Sequence, residues 1–149
     1  KFINRKIKKK SVINFIPNNY KIKINKKKFK RKFDIVIYYR NHQNKFGEHH
    51  KKFIREQINL KKKIIIIGDK ININGSVHLG RLDKKELMKI LKRSKFCLSG
   101  DDNLLSLFNL ECIKSGVKII FNHKLKFQII RKKTNLFRAY NFEKKKFIN

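Results

Sequence analysis

Two groups of residues in this chain have the types and spacing needed to bind a charged ligand. Arg40 and Lys45 lie five positions apart, directly after an apolar run. The second group, Asp101, Asp102 and Glu111, occupies a segment from residue 96 to 113 that contains no Lys or Arg. The whole chain has 41 Lys and Arg against 10 Asp and Glu, a formal net charge of +31. A segment kept clear of cations in such a chain suggests a binding site.

The apolar runs beside these residues predict the strands of a parallel sheet. Short β-branched runs alternate with segments of helical spacing, which is typical of a βαβ fold. We predict an open α/β sheet, whose ligands bind beyond the carboxyl ends of the strands. Arg40, Gly68, residues 99–103 and Phe121 should therefore lie along one edge. The predicted strands are Phe33 to Tyr39, Ile64 to Ile67, Phe96 to Leu98 and Val117 to Phe121.

Three helices are predicted between these strands. Asp83 followed by Glu86 is a capping-box sequence, and the apolar residues after it fall on one helical face. A second helix is predicted from Glu48 to Leu60. The third is predicted from Leu104 to Ser115 and should end at Gly116, because glycine commonly terminates helices.

The composition indicates one domain that is part of a longer protein. Forty per cent of the residues are hydrophobic, enough to fill a core. We expect residues 1–32 to form a Lys-rich linker with an entry strand, and residues 33–149 to form the main domain, incomplete at its C-terminal end. The chain begins at Lys1, and its apolar runs are much shorter than the roughly 20 residues of a membrane span. We therefore interpret it as a soluble fragment.

The cysteines and histidines are expected to be structural. Cys97 and Cys112 each lie inside an apolar run, which predicts reduced core thiols and favours a cytoplasmic location. His42, His49 and His50 are close in sequence, but no further ligand follows at helical or loop spacing. We expect surface roles for these histidines and no metal site.

Several motifs, in order, resemble the C-terminal, nucleotide-sugar-binding domain of group 1 glycosyltransferases, which have two Rossmann domains. The resemblance implies a Rossmann-like open sheet with flanking helices, the C-terminal half of a GT-B enzyme. It covers roughly residues 12 to 121. The motifs are FIPNN at 15–19, YYRNHQNK at 38–45, IIIIGDK at 64–70, VHLGRLDKKEL at 77–87 and NLLSLFNLECIKSGVKII at 103–120.

The resemblance implies roles for particular residues. Arg40 and Lys45 would bind the diphosphate of the donor, and Glu111 would accept hydrogen bonds from the ribose. Backbone N–H groups of Leu104, Leu105 and Ser106 would complete the phosphate site. Physical chemistry supports this division, because a diphosphate needs cations whereas hydroxyl groups need acceptors.

The sequence also departs from the family pattern. Asn103 stands where the family has the first Glu of its E-x7-E motif, and Leu104 and Ser106 replace family glycines. Asp102 is one residue from Asn103 and is a candidate substitute. His78 is a candidate for stacking near the base, and Gly68 and Gly80 belong to the adjacent turns.

The resemblance implies a nucleoside-diphosphate sugar as substrate and no cofactor. The acceptor and the catalytic residue would belong to an N-terminal domain that precedes this chain, so the chain alone should transfer no sugar. The acceptor would be a glycan or a lipid, which allows a peripheral location at the inner membrane face.

The sequence is also compatible with two other functions. The isoelectric point of about 10.5 is compatible with an RNA-binding or ribosome-associated protein, although no RNA-binding sequence motif is present. The same charge is compatible with an inactive α/β scaffold at an anionic membrane surface. Binding of RNA through many phosphates would fall steeply with salt, whereas binding of a single diphosphate would fall less steeply.

Overall fold

The computed structural model describes residues 30–42, 45–101, 104, 106–128 and 136–148. The FIPNN motif, the predicted entry strand, Asp102, Asn103 and Leu105 lie outside these ranges. The elements are β1 (Phe33–Tyr39), α1 (Glu48–Asn59), β2 (Ile64–Gly68), β3 (Val77–His78), α2 (Lys84–Lys92), β4 (Ser94–Leu98), α3 (Leu107–Lys114), β5 (Lys118–Asn122), a 3-10 helix (His123–Gln128), β6 (Phe137–Asn141) and β7 (Lys146–Ile148).

The strands form a single sheet in the order β3-β2-β1-β4-β5-β6-β7. All pairs are parallel except the last, in which β7 runs antiparallel to β6. The first six strands have the order of a doubly wound, Rossmann-like sheet, in which the strand order reverses between the neighbouring strands β1 and β4. The predicted fold class is confirmed, with an antiparallel edge that the sequence had not indicated.

The sheet is buried on both faces because its strands are nearly continuous runs of Ile, Val and Leu. On one face, alternate residues such as Ile35 and Ile37 pack against Phe53 and Ile54 of α1. On the other face, the residues between them, such as Val36, pack with side chains of α2 and α3. Helices on both faces explain why the strands are apolar without alternation.

Two of the predicted helices agree closely with the structure. Helix α2 begins after Asp83, whose carboxylate accepts a hydrogen bond from the Glu86 amide at 2.7 Å. The Glu86 carboxylate in turn accepts a hydrogen bond from the Asp83 amide at 3.3 Å. The predicted capping box is therefore present. Helix α1 begins at Glu48 as predicted and ends one residue earlier than predicted.

Helix α3 begins later than predicted. Its N-cap is Ser106, whose hydroxyl accepts from the Asn109 amide at 3.3 Å, and its first residue is Leu107. The carbonyl of Leu104 accepts from the Asn109 side chain at 2.8 Å. A side-chain bond thus satisfies a carbonyl that a longer helix would have used, and the preceding residues remain a loop.

At the amino ends of the strands, Arg31 joins two helix ends. Its guanidinium donates to carbonyl groups around the C-terminal ends of α2 and α3. Carbonyls at these positions have no partner within their own helix, so one side chain satisfies groups from both. The acceptors are the carbonyls of Leu91 (3.2 Å), Lys92 (3.2 Å), Ser94 (2.7 Å), Ser115 (3.3 Å) and Gly116 (3.2 Å).

Two further predictions concern the environment of the chain. Cys97 and Cys112 are both buried and form no disulfide, which confirms their prediction as reduced core residues. Within the described ranges, no helix is both long and apolar enough to cross a bilayer.

Candidate functional site

A cavity of about 230 Å³ lies at the point where the strand order reverses. It is bounded by residues that follow β1 and by residues that follow β4, including Ser99 and Gly100. Arg40 and Lys45 line it from the β1–α1 loop, and Ser106 lines it from the start of α3. Three of the residues predicted to bind a ligand are thus brought together at the place where such folds bind ligands.

The beginning of α3 supplies hydrogen-bond donors to this cavity. The first N–H groups of a helix have no partner within the helix, and the helix dipole is positive at this end. The Ser106 hydroxyl accepts from the Asn109 amide, and Leu107 and Phe108 supply the next two amides of this first turn. Both residues line the cavity. An anion in the cavity would therefore contact a helix N-terminus, a recurrent anion-binding arrangement.

Asp69, at the end of β2, holds Arg40 beside the cavity. The Arg40 Nε lies 3.4 Å from the Asp69 carboxylate, and the Arg40 side chain is 42% exposed. Asp69 also accepts from the Asn41 amide at 3.0 Å and from Arg81 at 3.2 Å. These contacts, with the Asn41 bond foremost, hold the pKa of Asp69 below its ordinary value. The carboxylate stays ionised and positions Arg40 while leaving part of its guanidinium exposed.

Aromatic stacking connects β1 to α3 across the cavity wall. The rings of Tyr38 and Phe108 lie 5.3 Å apart with an angle of 24° between their planes. Both residues line the cavity. The stacking fixes the start of α3 relative to the strand that carries Arg40, so the donor groups on the two elements keep a defined separation.

Asn109 is a structural residue of the site that the sequence analysis missed. Its side chain is buried and donates to the Ser99 hydroxyl and to the Leu104 carbonyl, both at 2.8 Å. It thereby ties the loop after β4 to the first turn of α3. The sequence does contain a signal for this role, since an Asn among the apolar residues of a core helix needs buried hydrogen-bond partners.

Some of the predicted site residues lie elsewhere. The Glu111 carboxylate pairs with Lys114 at 3.2 Å, one turn further along α3, and Glu111 is not among the residues that line the cavity. Leu104 is completely buried in the core. Their predicted contacts with ribose and phosphate therefore have no counterpart in the lining of this cavity.

Gly68, His78 and Gly80 cluster around Asp69 instead. The Gly68 amide donates to the Gly80 carbonyl at 2.7 Å. The His78 Nε2 lies 3.1 Å from the Asp69 carbonyl oxygen. These three residues build the turn that holds Asp69, and through it they support Arg40.

The expectation of surface positions for the histidines is wrong for His50. Its side chain is completely buried against neighbouring aromatic rings, because position 50 shares the inner face of α1 with Phe53 and Ile54. Burial lowers its pKa to about 4, although the nearby Asp101 carboxylate opposes this shift. His42 is exposed, as expected.

Asp101 contacts protein groups in the described chain. Its carboxylate lies 2.8 Å from the Nε2 of His49 and accepts from the Asn122 side chain at 3.1 Å. Its amide donates to the Lys45 carbonyl at 3.0 Å. The first aspartate of the cation-free segment therefore joins the loop after β4 to α1 and β5.

The fold and the cavity together define a Rossmann-like α/β domain whose crevice presents cations and a helix N-terminus. Among solved structures, the chain is similar to the E. coli heptosyltransferase WaaC with ADP, at 14% sequence identity and a TM-score of 0.45. The match covers 70% of this chain and 36% of that one, so this chain spans about a third of the length of the heptosyltransferase. A similarity at this level does not establish a family. No family model and no curated protein sequence matches the chain.

Proposed function

We propose that this chain is the donor-binding half of a glycosyltransferase and that the crevice between β1 and β4 binds the diphosphate of a nucleotide-sugar. The observation that carries the proposal is the meeting of Arg40, Lys45 and the N-terminus of α3 in a single cavity. The proposal also agrees with the order of sequence motifs that resembles the donor-binding domain of that enzyme class.

The chemistry of the crevice suits a diphosphate. The guanidinium of Arg40 offers several donors in a fixed plane, the ammonium of Lys45 adds a second positive charge, and the helix amides add directed N–H groups. Asp69 offsets part of the positive charge of Arg40 and holds its guanidinium beside the crevice. The ribose contact of Glu111 stays a prediction, because Glu111 does not line the crevice and its carboxylate pairs with Lys114.

The remaining features of the function are proposals that follow from the same hypothesis. The substrate is a nucleoside-diphosphate sugar, and no cofactor takes part. The acceptor, a glycan or a lipid, and the catalytic residue belong to a second domain that precedes this one. On this hypothesis the chain binds the donor alone and transfers no sugar without that domain.

The test is calorimetric titration of the chain with ADP, UDP, GDP and inorganic pyrophosphate at moderate salt. Lys45→Ala should weaken the binding of nucleoside diphosphates about 10- to 100-fold, the range for losing a hydrogen bond to a charged group. Lys89→Ala is the matched control, because Lys89 is exposed on α2 and does not line the crevice. The control should bind as the unmodified chain does.

A short single-stranded RNA distinguishes this function from the nucleic-acid alternative. Under the proposal, RNA binds weakly and is lost rapidly as salt increases, whereas nucleotide binding changes less. Tight binding of RNA with no competition from any nucleoside diphosphate would contradict the proposal, as would equal effects of Lys45→Ala and Lys89→Ala.

A further inference from the structure

Three potential metal ligands converge beside the crevice. His49 and His50 are consecutive residues in the first turn of α1, and Asp101 lies in the loop after β4. The Nε2 of His49 is 2.8 Å from one carboxylate oxygen of Asp101, and the Nε2 of His50 is 3.6 Å from the other. One ligand atom from each residue can be chosen so that all lie within 4.8 Å of one another.

The Nε2 atoms of the two histidines in this cluster are buried. Neither the Nε2 of His49 nor that of His50 has a hydrogen-bond partner of good geometry, although the Ser99 backbone lies near enough to His50 to raise its pKa, and the His50 side chain is completely buried. The 2.8 Å separation between His49 and Asp101 is short enough for a hydrogen bond but lacks its alignment. The alignment is decisive, because a misaligned N–H gains little from a nearby oxygen. Buried polar atoms without partners are rare and call for an explanation.

We propose that His49, His50 and Asp101 bind a divalent transition-metal ion such as Zn²⁺. Two imidazoles and one carboxylate are ligands that zinc and its neighbours accept. Bond lengths of about 2.0–2.2 Å in a tetrahedral site place the ligand atoms roughly 3.3 Å apart. The two observed separations between Nε2 and carboxylate oxygen, 2.8 and 3.6 Å, bracket that distance but involve different oxygens of Asp101, and the three ligand atoms lie within 4.8 Å of one another. Side-chain movements that draw the two imidazoles toward a common point would complete the site. Three protein ligands leave a fourth position for water.

The surroundings of the cluster support this assignment. Asn122 donates to the Asp101 carboxylate at 3.1 Å and orients it, as outer residues commonly do for metal ligands. The ring centroid of Phe142 lies 4.8 Å from His49 and 5.0 Å from His50. Phe46 covers His50 at 4.8 Å. These apolar rings limit the access of water to the imidazoles.

Metal binding requires a change at the other nitrogen of His50. The His50 Nδ1 accepts a hydrogen bond from the Gly47 amide at 3.2 Å, so the neutral ring carries its proton on Nε2. When Nε2 binds the metal, that proton moves to Nδ1, and the bond from Gly47 is lost. The number of protons on the ring is unchanged. The Gly47 amide therefore reports metal binding at His50 specifically.

The proposed ion would connect α1 to the loop after β4. The amide of Asp101 donates to the Lys45 carbonyl, so the ion would also steady the loop that carries Lys45. The proposal does not depend on the identity of the ligand in the crevice, and its test uses no nucleotide.

The test is titration of the full chain, first freed of metal with a chelator, with Zn²⁺ and with Co²⁺. We expect one equivalent to bind, Co²⁺ to give the visible absorption of a tetrahedral site, and the Gly47 amide resonance to shift. Saturation with Zn²⁺ should raise the melting temperature by about 5 °C.

Variants separate this site from adventitious binding by surface histidines. His49→Gln and Asp101→Asn keep side chains of similar size and should weaken Zn²⁺ binding at least tenfold. His42→Ala is the matched control, because His42 is an exposed histidine before α1 that lies outside the cluster. Equal losses in His42→Ala and His49→Gln, or an unshifted Gly47 resonance at saturation, would overturn the proposal, as would the absence of one-equivalent binding.

Discussion

Gly68→Ala should destabilise the chain far more than Gly80→Ala, although both glycines have positive φ. Gly68 has φ +104°, and a Cβ built on it would lie 2.2 Å from the Tyr39 carbonyl oxygen. Gly80 has φ +67°, and a Cβ there would meet nothing within 4 Å. The two positions therefore differ in the collision, and Gly68 also lies outside the left-handed range near +50 to +70° that a non-glycine residue can adopt.

The expected magnitudes follow from these contacts. A non-glycine residue in the left-handed region costs about 1–2 kcal/mol, which is the full cost expected for Gly80→Ala. At Gly68 the new methyl group must also displace the Tyr39 carbonyl, which accepts from the Asp69 amide at 2.9 Å. Loss of that bond adds about 1 kcal/mol, and the residual overlap adds more. We expect a total of at least about 3 kcal/mol for Gly68→Ala.

Thermal and chemical unfolding of the two variants measure this difference. For a chain of this size, each 1 kcal/mol lowers the melting temperature by roughly 2–4 °C. Gly68→Ala should therefore melt about 10 °C below the unmodified chain, and Gly80→Ala about 3 °C below it. Equal losses in the two variants would show that the close approach of Gly68 to Tyr39 is not what requires glycine.

Three further outcomes are expected. Asn109→Ala should cost about 1–3 kcal/mol in urea unfolding, because it removes the two hydrogen bonds that the buried side chain donates to the Ser99 hydroxyl and the Leu104 carbonyl, whereas a loss under 0.5 kcal/mol would contradict this role. Because the pKa of buried His50 is about 4, below its unfolded value near 6.5, the metal-free chain should lose up to about 3 kcal/mol as the pH falls from 6.5 to 4. In His50→Leu the loss of stability between pH 6.5 and 4 should be smaller. An unchanged pH dependence of stability in this variant would refute the assignment to His50. Burial holds the pKa of Cys112 well above its ordinary value, so its thiol should react with disulfide reagents at pH 8 only on unfolding, and rapid labelling of the native chain would disprove this.

The parts of the fold that the sequence predicted are those set by local pattern. The strands β1, β2, β4 and β5 are apolar runs bounded by polar residues, and the start of α2 depends on two residues three positions apart. Such signals are complete within a few residues of the chain. Strand β6 (FRAYN) carries Arg138 among its apolar residues, and the antiparallel edge strand β7 has only three residues, so neither is a clear apolar run and neither was predicted.

The parts that were missed depend on side-chain contacts that the periodicity of apolar residues does not encode. The start of α3 is set by Asn109 bonding to the loop before it, and the burial of His50 is set by packing against Phe46 and Phe142. The spacing of His50 with Phe53 and Ile54 places it on the inner face of α1 and was a usable signal. Convergence of Asp101 with His49 required the three-dimensional arrangement of β4 and α1, which spacing alone does not reveal.

Arg31 has a consequence for the kinetics of folding. Its guanidinium joins carbonyls that are 60 to 85 positions away in the chain. Contacts of such long range form only after β1, α2 and α3 have docked, so they belong to the late part of folding. A lysine would carry the same charge but could not reach carbonyls at two helix ends with one planar group. Arg31→Lys should therefore speed unfolding several-fold in stopped-flow measurements while leaving the folding rate nearly unchanged. On this prediction Arg31, one of 41 basic residues, lengthens the lifetime of the native state through its contacts with two helix ends rather than through its charge.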